Sequence, residues 1–526
     1  MEFQISNKAK KVTLGLMGVG LLLLIVGFFF QKEYVFPTVL SDHEVYVEYW
    51  GDQGGKEADV KAEAEEAMAA LGYQLDFGDE GEEHEVHAHG AVEDHGEVHG
   101  EEHGEEHSDE AHAHQSPTFE WHIHIKHLEA EGHDAHAAHG HGHDSAPSET
   151  LAAMFTNGDI SISDSHFRRF WSNLLVNGFF FFGIALGALF YLALHYATES
   201  GWGVVLLRVM EAIMSALPLG MIILVIVFIA ATLGLNHIYP WMDSDVVAHD
   251  DLIWGKVAYL NKPFFWIRII CYFGVFAYFM NWFRKTSRNQ DSEDVEKATA
   301  SHFLMYRRGA LFLVFFAVFS STMSWDIIMS IDTHWFSTLF GWYAFSGIWL
   351  SAMIMIMMVT LYLKHKGNLE FVNSSHIHDV GKWMFALSFL WSYLWFSQFM
   401  LIWYSNIPEE VIYFVTRIES YKFIFFAMFI VNFVLPMIFL MSADTKKSWP
   451  YLIFIGMVIF IGHWFDVFCM VMPGTLFEEW NFGLLEIGMF MTFLGTFVFL
   501  VLRALGKSSL VQNNHPFLEE SKHHHG

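Results

Sequence analysis

Ser324-Trp-Asp-Ile-Ile-Met-Ser-Ile-Asp-Thr-His-Trp-Phe-Ser-Thr-Leu-Phe-Gly341 joins two long apolar segments. It places two acids (Asp326, Asp332), His334 and two tryptophans where the chain would leave a bilayer. An acid beside a membrane span is costly to desolvate, so it faces protein, a cavity or water. Two readings stay open. The stretch is an interfacial turn with a tryptophan belt, or its polar groups face a site between helices.

The surrounding chain fixes the class. Of 526 residues, 53% are hydrophobic and 17% aromatic, above the usage of soluble domains. The apolar residues fall in blocks of about 20, the length of a spanning helix. Helices are expected at 11–30, 170–196, 203–235, 263–283, 309–327, 337–363, 383–404, 423–441, 450–471 and 482–503. The fold class is therefore all-α integral membrane, with about ten transmembrane helices. Pro218 predicts a kink or tilt in the third. Lys8, Lys10 and Lys11 precede the first, and Gln31-Lys32-Glu33 follows it instead of a small-x-small cleavage site. An uncleaved helix is expected. Cys271 and Cys469 both lie in apolar segments, and no CxxCH is present, so no haem is attached covalently. No P-loop or GxGxxG occurs, and nothing points to nucleic acid.

Residues 31–167 differ in kind. They hold 33 acidic residues against four lysines, a net of −29 that equals the charge of the whole chain. His43 to Trp50 and Trp121-His-Ile-His-Ile alternate like strands, and Lys56 to Leu71 reads as a helix. Seventeen histidines lie between His84 and His143, with a near-repeat at His95, His99, His103 and His107. A glycine in most repeats costs about 1 kcal/mol against alanine, so disorder is expected there rather than helix. Imidazoles among carboxylates suit zinc, copper or nickel; the alternative is a solvated, charge-rich insertion. Its acidity would also steer a basic partner such as a small cytochrome c.

Lys and Arg give the orientation. With the N-terminus inside, inner segments carry 17 and short outer segments six (Arg168, Arg169, Lys256, Lys262, Arg417, Lys422). Both termini are then cytoplasmic and residues 31–167 outside. The Arg168-Arg169 pair runs against the rule.

Polar residues within the spans form two layers. The outer layer holds Asp326, Gln398, Glu486, and His463 and Asp466, which are three apart and share a helix face. The inner layer holds His195, Arg208 and Glu211, again three apart. Arg268 lies on the fourth helix. Such residues either fasten helices or form a proton relay or quinol site.

Trp391-Ser-Tyr-Leu-Trp-Phe-Ser-Gln-Phe-Met-Leu-Ile-Trp-Tyr-Ser-Asn-Ile-Pro-Glu-Glu410 resembles a signature of the membrane subunits of bacterial alternative complex III. Met329-Ser-Ile-Asp-Thr-His-Trp-Phe-Ser-Thr-Leu-Phe-Gly341 resembles the same group. The likeness covers roughly residues 168–510. It implies an NrfD-like core, as in polysulfide-reductase membrane subunits, of two four-helix bundles plus extra helices. It further implies a subunit without a redox centre in a bacterial inner-membrane complex that oxidises quinol and reduces cytochrome c or an oxidase. Partners would be an iron–sulfur subunit, multihaem and monohaem cytochromes c, a quinol-binding ActC-like subunit, a terminal oxidase and lipids. Haem c and iron–sulfur clusters would sit in those partners, and any cofactor here would be quinone or quinol. The N-terminal extension is closer to the ActF type, credited with a proton path. The histidine tract has no counterpart in that pattern. The residue pattern leaves Asp326, His334, Gln398, His463, Asp466, Glu486, Glu211, Arg208, Arg268 and His195 as proton-path or quinol-site candidates. The alternative is a divalent-metal transporter with a His-rich loop. Residues 511–526 are expected to form a cytoplasmic tail, with Lys522-His-His-His-Gly526 set aside.

Overall fold

The computed structural model describes residues 3–29, 35–41, 44–49, 57–71, 73–77, 119–127, 147–157, 165–477 and 482–525. The expected disorder and metal binding at His95, His99, His103 and His107 fall outside them. The chain divides into two compact units, Met1–Gln31 with Phe167–Gly526, and Lys32–His166.

Among the described residues the first unit holds ten helices long and apolar enough to cross a membrane. They are α1 (Asn7–Phe29), α2 (Ser165–Ala197), a span made of α3 (Leu207–Met214) and α4 (Leu217–Thr232), α5 (Lys262–Gln290) and α6 (Val295–Ile327). Then come α7 (Leu339–His365), α8 (Ser374–Ser405), α9 (Lys422–Phe429, continuing to Phe439), α10 (Trp449–Leu476) and α11 (Leu484–Leu505). Successive spans alternate in direction. Phe29, Ser165, Ile327, Ser405 and Leu484 thus mark one end, termed the insertion end. Asn7, Ala197, Gln290, His365 and Leu505 mark the other, the tail end.

Local chemistry sets several boundaries that apolar counting misses. The Asp294 carboxylate caps Lys297 N at 3.0 Å, so α6 begins well before its apolar stretch. Asn373 caps α8 in the same way, with His376 returning the bond in a capping box. Near the expected kink at Pro218 the span is interrupted by a two-residue turn, Ser215 and Ala216, both still in the right-handed helical region. A 3-10 turn (Gly201–Leu206) precedes α3, and Pro218 sits in the first turn of α4, where its missing N–H costs no intrahelical bond. Pro436 has no N–H for the Asn432 carbonyl, and the preceding Ile430–Val434 turn widens to a π-helix.

Phenylalanines fill the middle of this unit; Phe179, Phe182, Phe276 and Phe312 are fully buried. Helix α1 packs on α11 through glycines. A Cβ at Gly20 would lie 2.6 Å from Thr492 N, and one at Gly488 2.3 Å from Leu24 N. Such contact lets two backbones approach closely, the basis of helix association in lipid.

The second unit carries a sheet of four antiparallel-paired strands, β1 (Val35–Ser41), β2 (Glu44–Tyr49), β3 (Tyr73–Phe77) and β4 (Phe119–His127), in the order β1-β2-β4-β3. Val45 faces Ile123, Val47 faces Trp121 and Leu75 faces Ile125. These six, with Ala64, Met68 and Leu151, form its core. The alternation at β2 and β4 was visible in the sequence. Strands β1 and β3 and the helix Pro147–Asn157 are additions to that reading.

Candidate functional site

Three buried carboxylates occupy the insertion end, each with its own partners. Asp326, fully buried at the end of α6, takes Arg268 Nε at 2.8 Å and Nη2 at 2.9 Å, and the Tyr272 hydroxyl at 2.9 Å. The Arg268 guanidinium lies 3.9 Å from the Tyr259 ring centre. Glu486 takes Arg169 Nε at 2.8 Å and Nη2 at 2.7 Å, with Asn173 Nδ2 at 2.9 Å and Gly483 N at 2.7 Å. Both are forked, charge-assisted pairs with their lone pairs occupied.

Asp466 differs. On α10 it accepts Trp391 Nε1 at 2.8 Å from α8 and the Tyr343 hydroxyl from α7. His463 Nδ1 stands 3.5 Å away. No Lys or Arg pairs with it among the described residues. His463 is 1% exposed, and neither ring nitrogen makes a hydrogen bond. Beside the two runs a cavity of about 10 Å³, bordered also by Ser351, Gly347, Phe179 and Met470. That is room for one water. A quinol ring does not fit there.

The opening turn splits its residues between both readings. Asp326 points inward as described, and Asp332 meets buried Arg417 Nη2 at 3.1 Å. Arg417 also donates to the Tyr413 and Cys469 carbonyls at 2.7 and 3.0 Å and stacks 3.3 Å from the Tyr413 ring centre. Trp335 lies flat on the other face of that ring at 3.7 Å. His334 instead is exposed and pairs with Asp250. Burial pushes the Asp250 carboxyl up, but the Ile253 amide and His334 outweigh it and hold it below the usual carboxylate value. So His334 faces no interhelical site.

At the tail end, Arg208 Nη1 meets Glu211 Oε2 at 3.0 Å, and Nη2 meets Asp291 and the Ser287 carbonyl. Gln512, from the chain beyond α11, closes this cluster. Its Nε2 reaches Ser287 Oγ at 2.6 Å, Tyr196 Oη at 2.9 Å and Glu211 Oε1 at 3.0 Å. His195 is buried beside Tyr191 and Trp202, with ring centres 4.6 and 5.4 Å away. The terminal residues pack as well: Ser521 Oγ donates to the Trp202 carbonyl and His524 Nε2 lies 2.6 Å from Asp379.

The structure thus joins His463 with Asp466, and Arg208 with Glu211. It gives Asp326 and Glu486 to arginines, so the expected four-membered outer cluster does not form as one network. Gln398 is buried with Nε2 unpartnered. Sequence reasoning missed Tyr343, Trp391, Arg169 and Arg417 as partners. Of these only Arg169 left a signal, by opposing the charge rule. Among the described residues no three His, Cys, Asp or Glu side chains are grouped to hold a metal ion.

Fold and site together define a multi-pass membrane protein in which Asp466, buried among the helices, has no Lys or Arg partner among the described residues. Comparison with family models and with curated proteins returned no match for this chain.

Proposed function

We propose that this chain is an ActF-like membrane subunit of a quinol-oxidising complex of the alternative complex III kind. It carries no redox centre and moves protons through its second group of four helices, α7 to α10. In this reading α2 to α6 form the first four-helix bundle, and α1 and α11 are the extra helices. The bacterial inner membrane is its location, both termini are cytoplasmic and the insertion end faces outward. The family part rests on the two quoted strings. Surface charge supports the orientation: Arg169 and Arg417, counted among outer cations, are buried in ion pairs, so the effective outer count is lower.

One observation carries the proton step. Asp466 is buried with hydroxyl, indole and imidazole partners instead of an arginine, beside a water-sized space. A carboxylate so placed exchanges a proton at less cost than one locked to a guanidinium. His463, whose Nδ1 stands 3.5 Å from Asp466, is the adjacent carrier. Tyr343 and Trp391 hold Asp466 in place.

Gentle solubilisation followed by an optical spectrum and subunit census tests the family. Co-purified c-haem and iron support it, and a lone metal-loaded homo-oligomer overturns it. Proton release by the assembled Asp466→Asn complex tests the step.

A further inference from the structure

Cations gather at the tail end where α5 stops and α6 turns back. Arg284, Lys285 and Arg288 lie on the last turns of α5, and Arg307 and Arg308 lie on α6. Trp282, Lys285 and Arg288 follow one another at intervals of three, and Arg284 stands four before Arg288, so they share one side of the helix. The Arg308 guanidinium reaches over the Trp282 ring, 5.7 Å from its centre, and extends the arc onto the neighbouring helix. Lys285 and Arg307 are exposed, and the other three are half-buried. Among the described residues none of these cations takes a hydrogen bond or an ion pair. By contrast Arg169, Arg208, Arg268 and Arg417 each meet a carboxylate. The acids of the connecting loop are engaged elsewhere. Asp291 is held by Arg208, Glu293 accepts from Ser301 Oγ at 2.7 Å, and Asp294 caps α6 and pairs with Lys297 at 3.3 Å, which leaves Glu296.

Positive charge at one end of a membrane protein is expected from topology alone. Topology asks for charge somewhere near the span, and a scattered set would serve. Here the α5 cations are concentrated along about 9 Å of helix, the rise from Trp282 to Arg288. Arginine forks also match the oxygens of a phosphate. From these cations toward the middle of the span the surface turns apolar: Tyr278 on α5, and Leu311 and Val314 on α6 in line with Arg307, are exposed. Trp282 and Tyr306 are the amphipathic aromatics that mark headgroup level. We infer that the end of the α5–α6 hairpin is a binding site for an anionic phospholipid. Arg284, Lys285, Arg288 and Arg308 surround its phosphate, and its acyl chains lie along the apolar strip. A basic pocket between helices at the membrane surface recognises a headgroup in this way. A soluble acidic partner would use the charges and leave the strip idle.

The purified full-length protein, in its native assembly and in micelles containing phosphatidylcholine, is titrated with phosphatidylglycerol, and bound lipid is counted by native mass spectrometry. Two triple variants remove equal charge from the tail end: Lys285→Gln/Arg307→Gln/Arg308→Gln in the arc, and Lys8→Gln/Lys10→Gln/Lys11→Gln on α1. A fall of about tenfold or more in apparent affinity is expected for the arc variant alone, since each cation beside an anionic headgroup contributes a factor of about five. Equal falls in both variants would mean diffuse attraction to the whole tail-end surface and overturn the site. Binding of phosphatidylcholine as tight as that of phosphatidylglycerol would overturn it too. Displacement of the lipid by an equal concentration of inorganic phosphate would make the ligand a free anion and likewise reject a lipid site. If the arc variant fails to assemble, Arg284→Lys/Arg288→Lys/Arg308→Lys keeps every charge and removes the forked contacts. A fall of about threefold or more is expected there, and unchanged affinity overturns the proposal.

Discussion

Asp326→Asn and Asp466→Asn are the same chemical change at two buried sites, and the structure gives them unequal costs. At Asp326 the carboxylate neutralises Arg268, which is 8% exposed and gives it two hydrogen bonds. Asparagine has no charge to return and turns its NH2 toward one guanidinium N–H. Breaking a buried pair by removing one partner costs about 3–5 kcal/mol. At Asp466 the donors are an indole and a hydroxyl. Asparagine can point its oxygen at Trp391, which only donates, and its NH2 at Tyr343, whose oxygen can accept. The loss there is about 1 kcal/mol, the net worth of a neutral hydrogen bond. Asp326→Asn should therefore be the less stable variant by about 2–4 kcal/mol on those principles. Thermal melting of the solubilised complex, followed by size-exclusion profile and haem-to-protein ratio, reads the difference. Asp466→Asn should assemble fully and lose proton release. Equal melting of the two variants would refute the division into a fastener and a working carboxylate. Normal proton release in assembled Asp466→Asn would refute the working half.

Gly488→Leu should detach α1 from α11, since its Cβ alone would lie 2.3 Å from Leu24 N; a cysteine cross-link between the two helices, formed in the wild type, should fail. Deleting His84 to His114 should leave the second unit folded, because Phe77, opposite Ile123, and Phe119, opposite Tyr49, belong to paired strands that keep their partners; loss of its β signature, or activity restored only by added zinc or copper, would contradict this. Acid should loosen the tail. Burial, with His302 and His195 nearby, lowers the His515 pKa from 6.5 to about 3. The unfolded tail therefore binds a proton that the packed tail refuses, and the stability present above about pH 6.5 drains away as pH falls toward 3. Protease cleavage beyond Leu505 should rise between pH 7 and 5, and less so in His515→Gln.

The ten spans were legible because a bilayer leaves one solution for an apolar run of this length, and composition alone reveals it. Their starts were not. Helix α6 begins at Val295 and α8 at Ser374, where Asp294 and Asn373 cap polar turns that hydropathy discounts. The depth of each polar residue was also readable, since it follows from position along a helix. Who meets whom was not. Asp326, Glu486 and Asp466 look alike in sequence, and their separation into two ion pairs and one unpaired acid depends on Arg268, Arg169, Trp391 and Tyr343. Those four sit 58, 317, 75 and 123 residues from their partners. Spacing along one helix carries no information about such distances. The pair His463 and Asp466 was found because it needs only one helix.

The glycine contact between α1 and α11 has a bearing on how the chain is made. A ribosome releases α1 first and α11 last among the spans, so α1 enters the lipid long before its docking groove exists. Most of its apolar surface, including Val12, Leu14, Leu21 and Leu22, remains exposed even when docked, so lipid can shelter it during the wait. Synthesis must pass through the second unit and eight further spans before Gly488 and Gly495 are presented. The second unit therefore folds tethered to an anchor that can still drift, and closure of α1 onto α11 is a late step that marks a completed chain. A protein truncated before Leu484 would keep that anchor undocked, giving a quality-control factor an exposed stripe of Gly20 and Gly27 to recognise.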